Sequence, residues 1–402
     1  MDRSSRRGFL KSVTLAGAAV GLSAPDQKAS AQDLWSEKLA RDIPRRKLGR
    51  TGAKVPILNL GCAQSFDPTY DKLLHRAFAE GIDYFDTARV YAEGASHRGI
   101  ANFLPQIGGR DKIWLTSKES AGRPSVAAYT AGLDRCIEEL RVDHLDLYFM
   151  HQIDDLALLE PDYIRMGEAL RKSGKTRFFG FSTHGDRVAE LLEKAAKVGG
   201  IDAIMFRYSF ARYGDLALNR AIDACIESGI GLIAMKTIES VPEKSEKAVG
   251  FSSKNFTLPQ AKLKAVWADE RISSICSHID NTAKLAENVA AAKSPVRLSM
   301  HDIQELRRVD REYASLHCLG CSHFCEPEAG GGVRIADTLR YLMYSECYGE
   351  PERARTLYAE LSDQERGSGS VDFARARSAC PRGIDIPSRM ALARHLLGDA
   401  AV

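Results

Sequence analysis

No stretch of this 402-residue chain stays apolar for the roughly 20 residues that a membrane-spanning helix needs. Charge of one sign is missing too. Lys and Arg number 56 against 53 Asp and Glu, a net of +3. Arg3, Arg6, Arg7, Lys11 and Lys28, set against Asp2 and Asp26, place that whole excess in residues 1–31. The remainder is formally neutral, which argues against a nucleic-acid or anionic-membrane partner. Also absent is a Gly-x-Gly-x-x-Gly turn after the first predicted strand, and this weighs against an open dinucleotide-binding sheet. Of nine cysteines, Cys62, Cys136, Cys225, Cys276 and Cys347 stand singly, as small buried hydrophobes do. Cys318, Cys321, Cys325 and Cys380 are spaced differently.

What is present begins at the N-terminus. Ser5-Arg6-Arg7-Gly8-Phe9-Leu10-Lys11 is followed by a short apolar run, Val13 to Ser23, and by Ala29-Ser30-Ala31. The segment resembles the twin-arginine export signal of bacteria: arginine pair, apolar run and small-residue cleavage site in register. That resemblance implies passage of the folded protein through the twin-arginine translocase. The mature protein is then expected to be periplasmic or secreted, without a membrane anchor. Setting aside residues 1–31 leaves about 370, enough for a large core.

From Ile57 onward, short apolar runs alternate with helical patterns. Strands are predicted at 57–60, 82–85, 113–116, 145–150, 177–181, 203–206, 231–235 and 272–276. Helices are predicted at 124–140, 162–173, 187–198, 216–228 and 282–292, with Gly or Asp at most joins. Eight strands alternating with helices predict an α/β fold, a closed (β/α)8 TIM barrel rather than an open sheet. Ahead of it, Arg46 to Gly52 followed by Lys54-Val55 reads as a β-hairpin plugging one end. The expected domains are a signal peptide (1–31), the barrel (44–300) and a small, mainly helical C-terminal extension (301–402).

Chemistry in such barrels sits at the carboxyl ends of the strands. The second predicted strand ends Phe85-Asp86-Thr87-Ala88, with Tyr91 beyond; the third ends Thr116-Ser117-Lys118; the fourth ends Met150-His151. Acid, phenol, amine and imidazole therefore converge on one mouth. These residues, in this order on these strands, resemble the Asp, Tyr, Lys and His tetrad of the aldo-keto reductases, over about Arg46 to Ala292. The resemblance implies hydride transfer between a nicotinamide cofactor, NAD(P)H, and a small carbonyl or alcohol substrate. Tyr91 is then the general acid. An isolated phenol titrates near 10, and a nearby Lys118 ammonium is expected to lower that value. Asp86 would hold Lys118, and His151 would hydrogen-bond the carbonyl oxygen.

The cofactor positions depart from the family's pattern. Ser182-Thr183 stands in place of Ser-Asn, Met205 in place of Gln, and Met235-Lys236 in place of an aromatic ring. Lys284, Glu287 and Asn288 match the family's Arg-x-x-Glu-Asn region for the adenosine end, with a point charge replacing a guanidinium fork. Ser182, Thr183, Lys236, Lys284, Glu287 and Asn288 are thus the expected cofactor residues, with NAD versus NADP preference open.

Beyond Met300 the barrel pattern stops. Cys318-x-x-Cys321-x-x-x-Cys325 and Cys380-Pro381 each precede a glycine (Gly332, Gly383) and a helix-like run, as a diverged internal repeat. Each half resembles part of a bacterial ferredoxin cluster motif, and together the four thiolates can complete one 4Fe-4S cluster. Zinc, with His317 or His323 replacing a thiol, is a rival occupant; a disulfide or a metal-free site are others. The main functional reading is an exported aldo-keto reductase-like oxidoreductase, with the tail serving a redox partner or bracing the barrel. A ligand-binding or redox-sensing protein on a decayed barrel, and an Fe-S electron-transfer subunit, are the competing readings.

Overall fold

Closure of the barrel follows from strands whose two faces are both apolar, since a parallel strand covered on both sides has no polar face to show. In a computed structural model, which describes residues 42–120, 125–185, 187–238, 249–330, 332–367 and 369–398, eight strands close on themselves. They are β3 (Leu58–Gly61), β4 (Tyr84–Asp86), β5 (Trp114–Glu119), β6 (Leu145–Met150), β7 (Thr176–Thr183), β8 (Ala203–Arg207), β9 (Gly231–Met235) and β10 (Ser274–His278). All neighbours pair in parallel, and β10 joins β3 to β9. The predicted TIM barrel is therefore the observed fold. The export segment 1–31 lies outside the described residues.

Helices cover the outside: α1 (Lys72–Ala79), α2 (Ala95–Gln106), α3 (Val126–Leu140), α4 (Pro161–Lys172), α5 (Val188–Val198), α6 (Leu216–Glu227), α7 (Leu258–Ala268) and α8 (Thr282–Lys293). Their starts are capped as the sequence allows; Asp71, Ser125, Asp215 and Asn281 each accept a backbone N–H of the first turn. Three of these, α1, α2 and α7, had no predicted counterpart. For α7 the reason is visible. Its outer face is covered by a further helix, α9 (Met300–Tyr313), so Leu258, Ala261 and Ala265 pack with Leu306, Val309 and Tyr313. A helix buried on both sides has no polar stripe to read.

The hairpin, β1 (Arg45–Lys47) with β2 (Lys54–Pro56), lies under the amino end of the barrel. Leu48 and Val55 enter the barrel and share one cluster with Tyr84, Trp114, Leu147, Phe149 and Ile233. Gly231 is required there: a Cβ on it would approach Leu48 Cδ1 to 2.5 Å.

After α9 come α10 (Ser322–Ala329), α11 (Ile335–Tyr348), α12 (Pro351–Ala359), α13 (Phe373–Ala379) and α14 (Ile386–Leu397). The internal repeat is visible in the helices. Short helix α10, Gly332 at φ 71° and long helix α11 are matched by α13, Gly383 at φ 65° and α14. Among the described residues no helix is long and apolar enough to cross a membrane.

Replacing Leu48 by Ala empties the plug without touching the mouth. It should cost about 2–4 kcal/mol, read as a lower urea midpoint at unchanged m-value. An unshifted midpoint would show that the hairpin does not seal the barrel.

Candidate active site

Strand β5 runs three residues past its predicted end, so Lys118 lies within the strand and not in the loop beyond it. Its polar end is tolerated because each group has a partner. Glu119 binds Arg89 at 2.7 Å and Arg135 at 3.1 Å. Lys118 Nζ donates to Asp86 Oδ1 and, at 2.8 Å, to the carbonyl of Thr87. Both members of this ion pair are almost wholly buried. Cys276, in the middle of β10, turns its thiol to the same Asp86 oxygen at 3.6 Å.

The loop after β4 is stitched to β5 by Thr87 N to Thr116 O (2.9 Å) and Arg89 N to Lys118 O (3.1 Å). It ends in a tight turn, Tyr91–Gly94, in which Ala92, Glu93 and Gly94 all take left-handed backbone (φ 48°, 53° and 78°). Two consecutive non-glycine residues in that region are costly and persist only where the surroundings impose them. The turn presents Tyr91 so that Lys118 Nζ lies 5.0 Å from its ring centroid. His151 packs edge-on against the same ring, centroids 5.6 Å apart. Its Nδ1 meets Ser120 Oγ at 2.7 Å, leaving a buried Nε2 with no hydrogen-bond partner. The tetrad expected from the sequence is thus assembled at one point.

The ionisation states differ in one respect from expectation. Burial pushes the Tyr91 phenol above its ordinary value, and Lys118 only partly offsets this; the expected net lowering is not found. Burial opposes the charge of Lys118 too, but Asp86 outweighs it and the ammonium is held above its usual range. Burial, then Lys118, Arg353 and Arg340, keep the His151 imidazole neutral well below its ordinary pKa.

Asp86 and Tyr91 line one end of a cavity of about 490 Å³. Met205, Met235, Lys236, Lys284, Glu287 and Asn288 line it as well. Of the expected cofactor residues, these last four share the cavity with Asp86 and Tyr91. Lys284 is held by Asp280 at 2.7 Å, Glu287 accepts from Thr257 Oγ1 at 2.6 Å, and Asn288 braces Ser277 at 2.9 Å. Ser182 and Thr183 are placed otherwise. The Ser182 hydroxyl accepts from Gln152 N (3.1 Å) and the Thr183 hydroxyl from Gly185 N (3.2 Å), while the adjacent His184 lines the cavity. Lys236, at φ 56°, has no carboxylate partner among the described residues. It faces Tyr344 and Tyr348 of α11, which also border the cavity. Sequence reasoning missed those tyrosines, although their spacing with Tyr341 puts all three on one helix face.

In the tail, Cys318, Cys321, Cys325 and Cys380 surround one small apolar void. All four are free thiols, and burial lifts Cys318 to about 11 and Cys325 to about 12. His323 is exposed, and His317 lines a neighbouring cavity with Cys318. Among the described residues no three His, Cys, Asp or Glu side chains gather as a single-ion site requires.

The Tyr91 ionisation can be measured directly by NMR of the protein labelled with ¹³C at the tyrosine ring. The resonance that Tyr91→Phe removes should titrate above the ordinary value of about 10. Lys118→Met should move it higher still, since the ammonium favours phenolate. A resonance titrating below 9 would contradict the burial argument.

Comparison with known proteins agrees with this geometry. Residues 59–291, more than half of the chain, match the model of the aldo/keto reductase family. The aldo-keto reductase of Gibberella moniliformis is 28% identical over 180 residues, covering 42% of this chain and about half (51%) of that protein. The L-galactose dehydrogenase of Arabidopsis thaliana is 26% identical over 303 residues, covering 67% of this chain and 93% of its own. Among solved structures, an aldo-keto reductase from Klebsiella pneumoniae in complex with NADPH superposes with a TM-score of 0.51 at 19% identity, covering 66% of this chain and 94% of that one. At that identity the likeness is one of fold. With its barrel, its tetrad and a family match across the strands that carry them, the chain belongs to the aldo/keto reductase family of oxidoreductases.

Proposed function

We propose that this protein interconverts a carbonyl compound and its alcohol using NAD(P)H, with Asp86, Tyr91, Lys118 and His151 as the catalytic groups. The observation that carries this reading is the Tyr91 phenol, which lines the cavity with Asp86 and has the buried Lys118–Asp86 pair and an unpartnered His151 Nε2 beside its ring. Lys236 at the same cavity lacks a carboxylate partner and suits the phosphates of a dinucleotide; Lys284, Glu287 and Asn288 suit its adenosine end. A bound nicotinamide supplies or accepts hydride. The names of two relatives, one a sugar dehydrogenase and one crystallised with NADPH, support both the chemistry and the cofactor class.

In reduction, negative charge develops on the substrate oxygen. Tyr91 donates its phenolic proton to that oxygen, and Lys118 stabilises the phenolate left behind. Neutral His151, with Nδ1 occupied by Ser120, can present Nε2–H to the same oxygen. A phenol whose pKa is raised stays protonated through neutrality, so the acid is always loaded. The reverse reaction needs the phenolate and is favoured by high pH.

The tail and the N-terminus extend the reading. We propose that the four cysteines hold one 4Fe-4S cluster. They surround a common void that neither histidine lines, so its only soft donors are the four thiols, the ligand set of such a cluster. The Ser5–Lys11 heptad supports twin-arginine export to the periplasm or beyond. Export of an already folded protein is compatible with cofactors inserted beforehand.

Wild type should bind NADPH or NADH and reduce members of an aldehyde, ketone and aldose panel. Tyr91→Phe should bind the nucleotide normally and lose about 10²- to 10⁴-fold in kcat/KM. Reduction should be level across neutral pH and fall only above about 10, while alcohol oxidation rises with pH throughout. Unchanged kcat/KM in Tyr91→Phe would contradict the assignment. Anaerobically purified protein should carry iron and acid-labile sulfide in equal amounts, both lost in Cys325→Ser. Zinc in their place, or a disulfide, would overturn the cluster.

A further inference from the structure

The barrel's own side chains leave the cavity wall incomplete, and the C-terminal domain finishes it. Where the strand-end position after β9 carries Met235 rather than a ring, α11 brings two rings from outside. Tyr348 spans the ends of β9 and β10: its hydroxyl accepts from Lys236 Nζ at 3.4 Å, and its ring meets His278 edge-on at 6.1 Å. Tyr344 stacks on Tyr348, centroids 5.7 Å apart and planes inclined by 24°. Lys236 Nζ lies 4.9 Å from the Tyr344 centroid and 4.6 Å from that of Tyr348. From α12, the Arg353 guanidinium covers Tyr344 at 4.8 Å, tied to Glu350 at 2.8 Å.

These residues line the same cavity as Asp86 and Tyr91 at one end and Lys284 and Asn288 at the other. We infer that Tyr344, Tyr348 and Arg353 are part of the nucleotide-binding site, and that they hold a bound nicotinamide dinucleotide against release. This rests on the nicotinamide reading above. The stacked rings offer a flat π surface to a planar ring of the ligand. Lys236 and Arg353 place two cations beside that surface, suited to a pyrophosphate.

Two further observations agree. Burial alone would raise the Tyr344 phenol, yet Lys236, Arg340, Arg353 and Arg207 together bring it below its ordinary value, so this wall is a strongly cationic one. The wall is also fastened to the barrel. Arg334, just ahead of α11, bridges Asp154 of the loop after β6 (2.9 Å) and Asp337 (2.6 Å). Gly320, at φ 76°, brings the loop between α9 and α10 against the barrel, with Arg207 Nη1 2.8 Å from where a Cβ would stand. A ligand lying between the strand ends and α11 is therefore held by groups of both domains.

The test is the dissociation rate of NADPH from full-length protein, followed by nucleotide fluorescence during displacement with excess NADP⁺. Tyr344→Leu and Tyr348→Leu should each release NADPH about tenfold faster than wild type, the size of effect that loss of one aromatic contact converts to. Tyr344→Phe keeps the ring and should release at the wild-type rate. Arg353→Met, which leaves both rings in place, should speed release through loss of charge. Arg375→Ala, at an exposed pair with Glu328 away from the cavity, is the control for a generally loosened tail. Leucine variants that release NADPH at the wild-type rate would overturn the inference, as would Arg375→Ala accelerating release equally. If wild type binds neither NADPH nor NADH, the nicotinamide reading itself fails; if wild type binds and the leucine variants match it, only the tail's role fails.

Discussion

A lysine ammonium and an aspartate carboxylate face each other inside the carboxyl end of the barrel, almost wholly out of water. Such a pair is not favourable on its own, because desolvating both charges offsets most of their attraction. Once formed it is hard to alter, since removing one partner strands the other. Lys118 ties β5 to Asp86 at the end of β4 and to the Thr87 carbonyl, and so sets the course of the loop that ends at Tyr91. Its charge also reaches outward. With burial, it depresses His97 to about 3 and helps to keep His151 neutral. Behind it, a neutral His97 links Ser117 (2.8 Å) to Glu139 (2.7 Å) and braces the strand.

The barrel and the helical extension divide the labour at this mouth. In the proposed reaction the barrel supplies the groups that manage protons, all on strand ends or the turn immediately beyond. The extension supplies rings and cations to the opposite wall. Its own core is small, with Val333, Ile335, Leu339, Ile384 and Ile386 packed about the cysteine-lined void. An iron–sulfur cage in that void would stiffen the base of α11 and hence the wall it presents. Between that void and the barrel lies a small cavity that Arg207 and Arg340 line together with Cys318.

The barrel was legible in the sequence because most of its strands are short, mainly apolar runs, and Leu145–Met150 and Gly231–Met235 fall where they were predicted. The tetrad was legible because acid, amine and imidazole each terminate such a run. Other features depend on contacts that no local pattern encodes. α7 has no polar stripe because α9 covers it. Ser182 and Thr183 carry the right atoms, but their hydroxyls are taken up by Gln152 and Gly185 backbone N–H groups. The direction of the Tyr91 shift depends on the balance of burial against one ammonium, which residue types alone do not reveal. Tyr344 and Tyr348 read as an ordinary core stripe until α11 is seen to cross from the tail to Lys236, more than 100 residues earlier.

The central claim is that this cavity performs hydride transfer with Tyr91 as the proton donor. It is tested most directly by single-turnover reaction with nucleotide carrying deuterium at the transferable C4 position. The account predicts that the label appears on the former carbonyl carbon of the product, that transfer is slowed by the heavier isotope, and that Tyr91→Phe binds the nucleotide but scarcely transfers label. Nucleotide bound at full stoichiometry with the label never leaving it, across all carbonyl classes offered, would contradict the account and leave a barrel that binds without turning over.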